Sequence, residues 1–333
     1  MKYPKKYFIV ILFLVFILFQ ILTPATVKGQ EYNFSPFSGK VVQDKYFQNA
    51  VMAVIENSKP ARPQSGLNSA PIVYEYLVEG GITRFLALYW NNIPNKIGPI
   101  RSARPYLIKT ANSHKSILLH AGASPAAFEI LQNNDIKHLD QIYNGNYFWR
   151  GSDKKIPHNL YTGYFKFSDY LNKMTGQEYK TRFDFKDFTL IDTEEIKAKT
   201  ISIDYWGNYE VNYKYDIKNN VYKRYLYNFK SPHLNTNDKQ ITTNNIIIKF
   251  VKTNTKDKQG RLEMKINGNG KAYYFIDGDF IKGKWKKEAG EWTMFYDNKD
   301  KKIKLNPGKT WIQVVPANAK ITYEKGDNNE KEN

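Results

Sequence analysis

Arginine is scarce in this sequence, and its placement suggests a site for negatively charged groups. The chain has 50 Lys and Arg residues in 333, but only eight of these are Arg. Five of the eight lie between residues 57 and 158: Arg62, Arg84, Arg101, Arg104 and Arg150. A guanidinium offers carboxylate or phosphate a planar bidentate fork, whereas a lysine ammonium acts as a point charge. We therefore predict that these five arginines line a cleft that binds an anionic ligand.

The spacing of Arg101 and Arg104 suggests how two of these groups could act together. If this segment is the first turn of a helix, both side chains lie on one face, beside the free N–H groups of the helix start. The alternative is structural, with the arginines forming ion pairs with Glu56, Glu75 and Glu79. The sequence leaves both interpretations open.

Two of the five histidines are candidates for acid–base chemistry or ligand binding. His120 ends an apolar segment, and His158 lies in a loop beside Asn159. Histidine titrates near neutral pH, so either residue could act as a general acid or base. In an enzyme, Glu75 or Glu79 would be the catalytic partner of His158. For His120, a hydrogen-bonded residue at a strand end is the favoured alternative.

The sequence lacks the patterns that usually mark metal sites, catalytic nucleophiles and nucleotide-binding loops. The chain contains no cysteine, which excludes disulfides, thiolate nucleophiles and cysteine-based metal sites. No HExxH, DxDxDG, GxSxG, Walker or GxGxxG pattern is present. We therefore predict no metal and no cofactor. The candidate groups favour a binding protein, with an enzyme acting on phosphate- or carboxylate-bearing polymers as the alternative.

The N-terminus indicates export. Three lysines (Lys2, Lys5 and Lys6) precede an uncharged apolar run over residues 8–22. This run is shorter than the roughly 20 residues that span a bilayer, and it is typical of a signal peptide. We predict that residues 1–29 form a signal peptide or an N-terminal membrane anchor. Cleavage after Gly29 and retention as an anchor both remain open, so the protein is expected on the outer face of the membrane or in the cell wall.

The formal net charge of +18 points to acidic partners. For an exported protein these are an anionic cell-wall polymer or an acidic protein partner, with the membrane contacted through the N-terminal helix. Nucleic acid is the usual partner of a basic chain, but export makes it an unlikely one here. A lysine-rich, solvated surface is the alternative explanation of the charge.

Hydrophobic patterning changes between the two halves of the chain. Continuous apolar runs at residues 51–55, 82–90 and 116–120 predict buried strands, and a helix is predicted after Ser124-Pro125. These elements predict an α/β or α+β domain with a mixed sheet over residues 49–185, after an extended leader at 30–48. Alternating patterns then predict an all-β domain over residues 190–322. The polar tail at 323–333 is predicted to be disordered.

Long motifs in both halves resemble one protein family. They include IENSKPARPQSGLNSAPIVYEYLVEGGITRFLALYW, IGPIRSARPY, LLHAGASPAAFEIL and PHNLYT, then PHLNTNDKQITTNNIIIKFV and GRLEMKINGNGKAYYFIDGDFIKGKWKK. Over about residues 45–317 the sequence resembles the YerB-like lipoproteins of Gram-positive bacteria. The resemblance implies an N-terminal α/β domain, a C-terminal β domain and an exported, membrane-tethered protein. It implies no reaction.

Two positions depart from the family pattern. Pro71 stands where the family usually has an acidic residue, so any role of that carboxylate is absent here. Gln30 stands where the lipidated cysteine of a lipoprotein is expected. A lipid anchor on cysteine is therefore excluded, and the N-terminal segment must either tether the protein or release it.

Overall fold

The computed structural model describes residues 33–42, 48–187, 196–206 and 209–326. The predicted signal or anchor at 1–29 and residues 327–333 of the predicted tail lie outside the described residues. From Phe34 onward the chain forms a single compact unit. Within the described residues, no helix is long and apolar enough to cross a membrane.

The first half combines strands with three α-helices. Its described strands are β1 (Asn33–Phe34), β2 (Val41–Val42), β3 (Val51–Glu56), β4 (Ile72–Leu77), β5 (Thr83–Tyr89), β6 (Ile117–His120), β7 (His138–Asp140), β8 (Trp149–Arg150), β9 (Leu160–Tyr161) and β10 (Asp184–Phe185). Its described helices are α1 (Pro105–Ser113), α2 (Pro125–Asn133) and α3 (Tyr164–Asn172). The helices α1 and α2 begin with proline, which has a backbone angle suited to the first helical position and needs no N–H partner there.

In the described part of the second half, the regular secondary structure consists of strands joined by turns and loops. The first of these strands are β11 (Thr200–Asp204), β12 (Glu210–Asp216), β13 (Val221–Leu226), β14 (Ser231–Pro232), β15 (Thr242–Thr243), β16 (Asn245–Val251) and β17 (Thr253–Thr255). The remaining strands are β18 (Leu262–Met264), β19 (Gly268–Ile276), β20 (Asp279–Lys287), β21 (Met294–Asp297), β22 (Lys304–Leu305), β23 (Thr310–Pro316) and β24 (Lys320–Glu324). The last strand extends two residues past the predicted end of the β-rich region at residue 322.

One ten-stranded sheet runs through both halves of the chain. Its strand order is β21-β20-β19-β16-β23-β4-β5-β3-β6-β7. The halves meet where β23 pairs in parallel with β4, with Thr310 opposite Ile72. This sheet contains both parallel and antiparallel pairs, so the predicted mixed sheet followed by a β-rich region is confirmed. The predicted regions 49–185 and 190–322 therefore both contribute strands to a common core.

A second sheet belongs entirely to the second half. Its order is β14-β13-β12-β11-β24, and β15 also pairs with β13. Strand β13 alternates between half-buried and buried residues, which is the pattern of a sheet with one face on the core. Its inward positions are Tyr222, Arg224 and Leu226. A charged side chain at the middle of this buried face requires a buried partner.

Burial follows the apolar runs that the sequence shows. Every residue of β3, β4, β16 and β23 is buried, as expected for strands covered on both faces. Because Glu56 and Glu75 also lie on these strands, each carboxylate needs compensating donors. Glu56 receives its donors at the end of β3, where the candidate site is found, whereas Glu75 receives its donors inside the core.

Candidate functional site

Three parallel strands end at the same edge of the large sheet. Strand β6 pairs in parallel with both β3 and β7, and the last residues of the three strands are Glu56, His120 and Asp140. Sites in sheets of this kind commonly lie just beyond the carboxyl ends of parallel strands. The segment that carries Arg101 crosses this edge, since its N–H donates to the carbonyl of Val54 over 2.9 Å.

Glu56 is the centre of a cluster with an arginine and a histidine. Its carboxylate lies 2.7 Å from Nε of Arg101 and 2.9 Å from Nδ1 of His158. The hydroxyl of Ser58 donates to the same carboxylate over 2.6 Å. Arg101 and His158 also approach each other, with 3.3 Å between Nη2 and Nδ1. Glu56, Arg101 and His158 are far apart in the sequence but thus lie in one contiguous cluster.

The electrostatics of this cluster favour an ionised carboxylate. Burial alone would raise the pKa of Glu56, but the hydrogen bonds from Arg101 and Ser58, and the positive charge of Arg101, lower it below its ordinary value. Glu56 therefore remains negative at neutral pH. It can orient the His158 ring through Nδ1, as a carboxylate does in many acid–base sites.

A second arginine cluster lies around Glu79. Arg104 binds this carboxylate with two hydrogen bonds, 2.6 Å from Nε and 3.0 Å from Nη2. Burial raises the pKa of Glu79, but the hydrogen bonds and charge of Arg104 outweigh it, so the net shift is downward. Nη1 of Arg104 donates to the carbonyl of Ala103 over 2.8 Å. The guanidinium of Arg104 is therefore fully engaged within the protein.

Arg84 differs from these two arginines because, within the described residues, no carboxylate forms a hydrogen bond or close ion pair with it, and the charge of Glu79 acts on it only from a greater distance. Its Nη1 donates to the carbonyl of Ser102 over 2.7 Å. Burial, followed by repulsion from Arg104, lowers the pKa of Arg84 to about 10. This half-buried cation is thus under-compensated, and a nearby anion would stabilise it.

The segment Arg101–Arg104 is not the helical turn that the spacing suggested. Helix α1 begins at Pro105, and Arg104 is an extended N-cap residue with φ −130° and ψ 155°. The proline fixes this start, because the residue before proline is biased away from helical angles. The two guanidiniums consequently bind different carboxylates, Glu56 and Glu79, as the alternative of structural ion pairs anticipated.

The other predicted ligand-binding residues occupy more distant positions. Arg62 donates to the side chain of Asn57 over 3.0 Å and to the hydroxyl of Tyr227 over 2.9 Å. The exposed Arg150 donates to the amide oxygen of Asn159 over 2.9 Å. Because Asn159 follows His158 directly, this bond joins Arg150 at the end of β8 to the loop that carries the histidine of the Glu56 cluster.

His120 lies in a buried group rather than on an open surface. Its Nδ1 donates to the carbonyl of Gly122 over 2.9 Å, so its Nε2 accepts from Nδ1 of His138 over 3.0 Å. Burial lowers the pKa of His120, which favours this neutral form. One oxygen of Asp140 accepts from the N–H of Gly122 over 2.7 Å. This arrangement matches the alternative of a hydrogen-bonded histidine at a strand end.

The structure corrects the predicted acid–base pairs. Neither Glu75 nor Glu79 lies within hydrogen-bond distance of His158, and the carboxylate that contacts this histidine is Glu56. Glu75 is completely buried and forms an ion pair with Arg224 of the second half, 2.8 Å away. The sequence identified Glu56 as a possible ion-pair partner of the arginines but not as the carboxylate that contacts His158. His138 and Arg224 carried no local signal.

Metal chemistry finds no support in the described part of the chain. No group of three or more His, Cys, Asp or Glu side chains there is arranged to hold a metal ion. The chemistry that the described site offers is ionic binding through arginine and proton transfer through His158.

Comparisons with known proteins agree over most of the chain. Residues 37–179 match the N-terminal domain, and residues 201–312 the C-terminal domain, of a family described as "protein of unknown function (DUF3048)". The chain is 34% identical over 307 residues to the "Putative lipoprotein YerB" of Bacillus subtilis (strain 168), covering 88% of this chain and 89% of that protein. The crystal structure of the Bacillus subtilis YerB protein matches with a TM-score of 0.78 at 31% identity, covering 87% of this chain and 99% of that one. The chain therefore belongs to the YerB-like family that these two domains define.

Proposed function

We propose that the protein is an exported, membrane-associated component of the cell envelope that binds an anionic ligand at its arginine cluster. The cluster comprises Arg84, Arg101 and Arg104 around Glu56 and Glu79. The ligand is an anionic wall polymer or an acidic protein partner. The proposed location is supported by the name of the Bacillus subtilis relative, which describes a lipoprotein.

The observation that carries the proposal is the charge balance at this cluster. Arg101 and Arg104 are each neutralised by a carboxylate, at 2.7 Å and 2.6 Å. Arg84 contacts a neutral carbonyl instead, and its pKa is lowered to about 10 by burial and by the neighbouring Arg104. Binding an anion would relieve this repulsion, and a guanidinium suits carboxylate and phosphate equally.

The sequence contains no cysteine, so a lipid attached to cysteine cannot hold the protein at the membrane. Membrane association therefore requires another tether. Residues 1–29 supply it if they are retained. The basic chain would then lie close to the anionic membrane surface and the wall, both of which attract it.

Binding of the full chain to purified Gram-positive cell wall tests the proposal. Arg84→Gln should weaken this binding at least about fivefold, because it removes a partly desolvated charge. Lys214→Gln is the matched control, since it removes the same charge from an exposed site on β12. Replacing His120 and His158 by alanine should leave binding intact. Equal losses in Arg84→Gln and Lys214→Gln would show that net charge alone causes binding and would refute the proposal.

A second function is favoured by one contact, the 2.9 Å hydrogen bond between Glu56 and Nδ1 of His158. A histidine oriented by a carboxylate can transfer protons through its other nitrogen. The same cluster would then be the active site of an envelope enzyme that acts on phosphate- or carboxylate-bearing polymers, with Arg101 stabilising negative charge.

Turnover of a labelled wall polymer distinguishes the two functions. An enzyme should lose at least about a hundredfold in rate on His158→Gln, in line with general acid–base catalysis. The His158→Gln variant should still bind the polymer. If His158→Gln and Glu56→Gln leave turnover unchanged or no turnover is found, the enzymatic function is excluded and the binding function stands alone.

A further inference from the structure

A cleft of about 580 Å³ separates the start of α1 and α2 from the hairpin formed by β17 and β18. One wall therefore comes from the first half of the chain and the other from the second half. Glu56, Arg84, Arg101 and His158 do not line this cleft. Arg104 does, but its guanidinium is occupied by Glu79 and by the carbonyl of Ala103.

The two helices begin side by side at this cleft. Ala103 and Ala123 form a parallel bridge, and each chain then continues through one N-cap residue into the proline that starts a helix. The second residues of the helices, Tyr106 and Ala126, both line the cleft. Within the described residues, neither backbone N–H has a hydrogen-bond partner. Two positive helix ends, each with a free donor, therefore meet at one place.

Ser124 provides independent support for a ligand here. It is the N-cap residue of α2, lines the cleft, and is only 8% exposed. Its side chain makes no capping hydrogen bond, and its hydroxyl has no other partner within the described residues. A serine at this position normally caps its own helix. Here the hydroxyl is a nearly buried donor left free for a group that enters the cleft.

The charges around the cleft select the kind of anion. Because Arg104 is paired with Glu79, the lining leaves three cations against three carboxylates and no net charge: Lys109, Lys256 and Arg261 against Glu129, Asp257 and Glu263. Arg261 is bound to Asp257 at 2.6 Å, whereas Lys109 and Lys256 are exposed and form no ion pair within the described residues. The two helix ends and these two lysines attract an anion, and the three carboxylates repel a doubly charged phosphate more strongly than a monoanion.

The remaining lining is mostly apolar, apart from Ser124, Asn133 and Asn134. Pro125 and Ile130 belong to the helical wall, and Leu262 and Met264 to the hairpin wall. An anion that binds at the helix ends would therefore have an apolar group attached to it. A peptide that ends in a free carboxylate next to an apolar side chain has this combination, and backbone N–H groups are a known means of capturing such an end.

We propose that this cleft binds the C-terminal carboxylate of a peptide chain with an apolar last residue, through Ser124 and the N–H groups of Tyr106 and Ala126. The site adjoins the arginine cluster of the proposed function and shares Arg104 with it, but Glu56, Arg84, Arg101 and His158 do not line the cleft. It gives the protein a way to recognise the end of a peptide chain or of a protein partner.

Fluorescence anisotropy of the full chain with labelled Gly-Gly-Ala-Leu tests this site, with the C-terminal amide of the same peptide as comparison. The free acid should bind at least about 10-fold more tightly than the amide, because a hydrogen-bonded charge is lost in the amide. Ser124→Ala should weaken binding of the acid about 10-fold and Ser124→Thr should largely restore it. Lys109→Gln should weaken it about threefold, while Lys214→Gln should not.

Two further measurements, the unfolding temperature of Ser124→Ala and the displacement of the peptide by other anions, decide how the binding result is interpreted. Because the Ser124 hydroxyl does not cap α2, Ser124→Ala should unfold at the same temperature as the parent protein. Equal affinities for acid and amide, or an affinity unchanged by Ser124→Ala, would overturn the proposal. Displacement of the peptide by inorganic phosphate at lower concentration than by acetate would also overturn it, since the site would then prefer a phosphate. Arg84→Gln should leave peptide affinity unchanged, so this test and the wall-binding test fail independently.

Discussion

Glu75 and Arg224 lie 2.8 Å apart with fully buried side chains, although 149 residues separate them in the sequence. Thr83 and Tyr209 donate to the same carboxylate over 2.8 Å and 2.7 Å. The guanidinium also lies over the ring of Trp311, 5.0 Å from its centre. A charged pair from the two family domains is thus buried in their common core, with only Nε of Arg224 left without a hydrogen-bond partner among the described residues.

We expect Glu75→Gln to destabilise the protein by about 3–5 kcal/mol, because it leaves Arg224 as an unpaired buried charge. Urea unfolding followed by tryptophan fluorescence measures this loss. The double variant Glu75→Gln, Arg224→Met should recover part of it, since the unpaired charge is then absent. Arg261→Met is the control: its pair with Asp257 is partly exposed and screened by water, so the loss should be far smaller than that of Glu75→Gln. A loss for Glu75→Gln as small as in this control would contradict the expectation.

The ion pair of Arg104 with Glu79 should contribute to stability in a pH-dependent way. Burial raises the pKa of Glu79, but Arg104 lowers it more, so the folded pKa lies below the ordinary value of 4.5. The unfolded chain therefore takes up a proton first as the pH falls, and the stabilisation present above pH 4.5 is lost below it. The difference in unfolding free energy between the parent and Glu79→Gln should be largest at pH 6 and shrink by pH 3. A difference that does not change with pH, as expected for the exposed control Asp135→Asn, would rule this out.

His114 should make the protein sensitive to mild acid. This residue is 1% exposed, and its Nε2 lies 2.8 Å from the hydroxyl of Tyr74. Burial, followed by repulsion from Lys287, lowers its pKa to about 3. The unfolded chain binds a proton near pH 6.5 and the folded chain does not, so stability is complete above pH 6.5 and falls between pH 6.5 and 3.

The variant His114→Gln keeps a polar group near Tyr74 but cannot titrate. We expect it to be less stable than the parent at pH 7.5, because a buried contact is altered. Its unfolding free energy should then decline less than that of the parent between pH 7 and 5. Urea midpoints at three pH values measure both slopes. Parallel slopes would show that His114 is not the group that responds to acid.

Local patterns in the sequence were sufficient to predict the fold class and several individual strands and helices. The apolar run 51–55 became β3, and the helix predicted after Ser124-Pro125 is α2. Both predictions rest on near neighbours in the chain, where periodicity and proline placement act directly. The family was recognisable for a similar reason, because its motifs are long and continuous.

The candidate site was less predictable because its contacts join distant segments. Glu56 and His158 are 102 residues apart, so spacing alone could not identify the carboxylate that contacts this histidine. The pairing of Arg101 and Arg104 with different glutamates depends on where α1 begins, and a three-residue spacing does not determine that. Composition identified arginine as the important residue type, but the partner of each arginine is set by tertiary packing.

Gly98 should be essential for assembling the Glu56 cluster. It has φ +144°, and a Cβ at this position would lie only 2.8 Å from the carbonyl oxygen of Leu160. That carbonyl accepts the N–H of Ile100 over 2.7 Å, so the contact joins the segment leading to Arg101 with the strand that follows His158. Gly98→Ala would have to push these two segments apart. Strain of this kind costs of order 1–3 kcal/mol.

Gly80→Ala is the matched control, because Gly80 also has a positive φ, +73°, but has no atom within 4 Å of the added Cβ. It should cost about 1 kcal/mol from the backbone angle alone. We expect Gly98→Ala to cost more, measured by urea unfolding, and to shift the imidazole resonances of His158 in NMR spectra because the 2.9 Å contact with Glu56 is lengthened. The control should leave those resonances in place. If both variants lose the same stability and the His158 signals do not move, then the close approach at Gly98 does not hold Arg101 and His158 against Glu56.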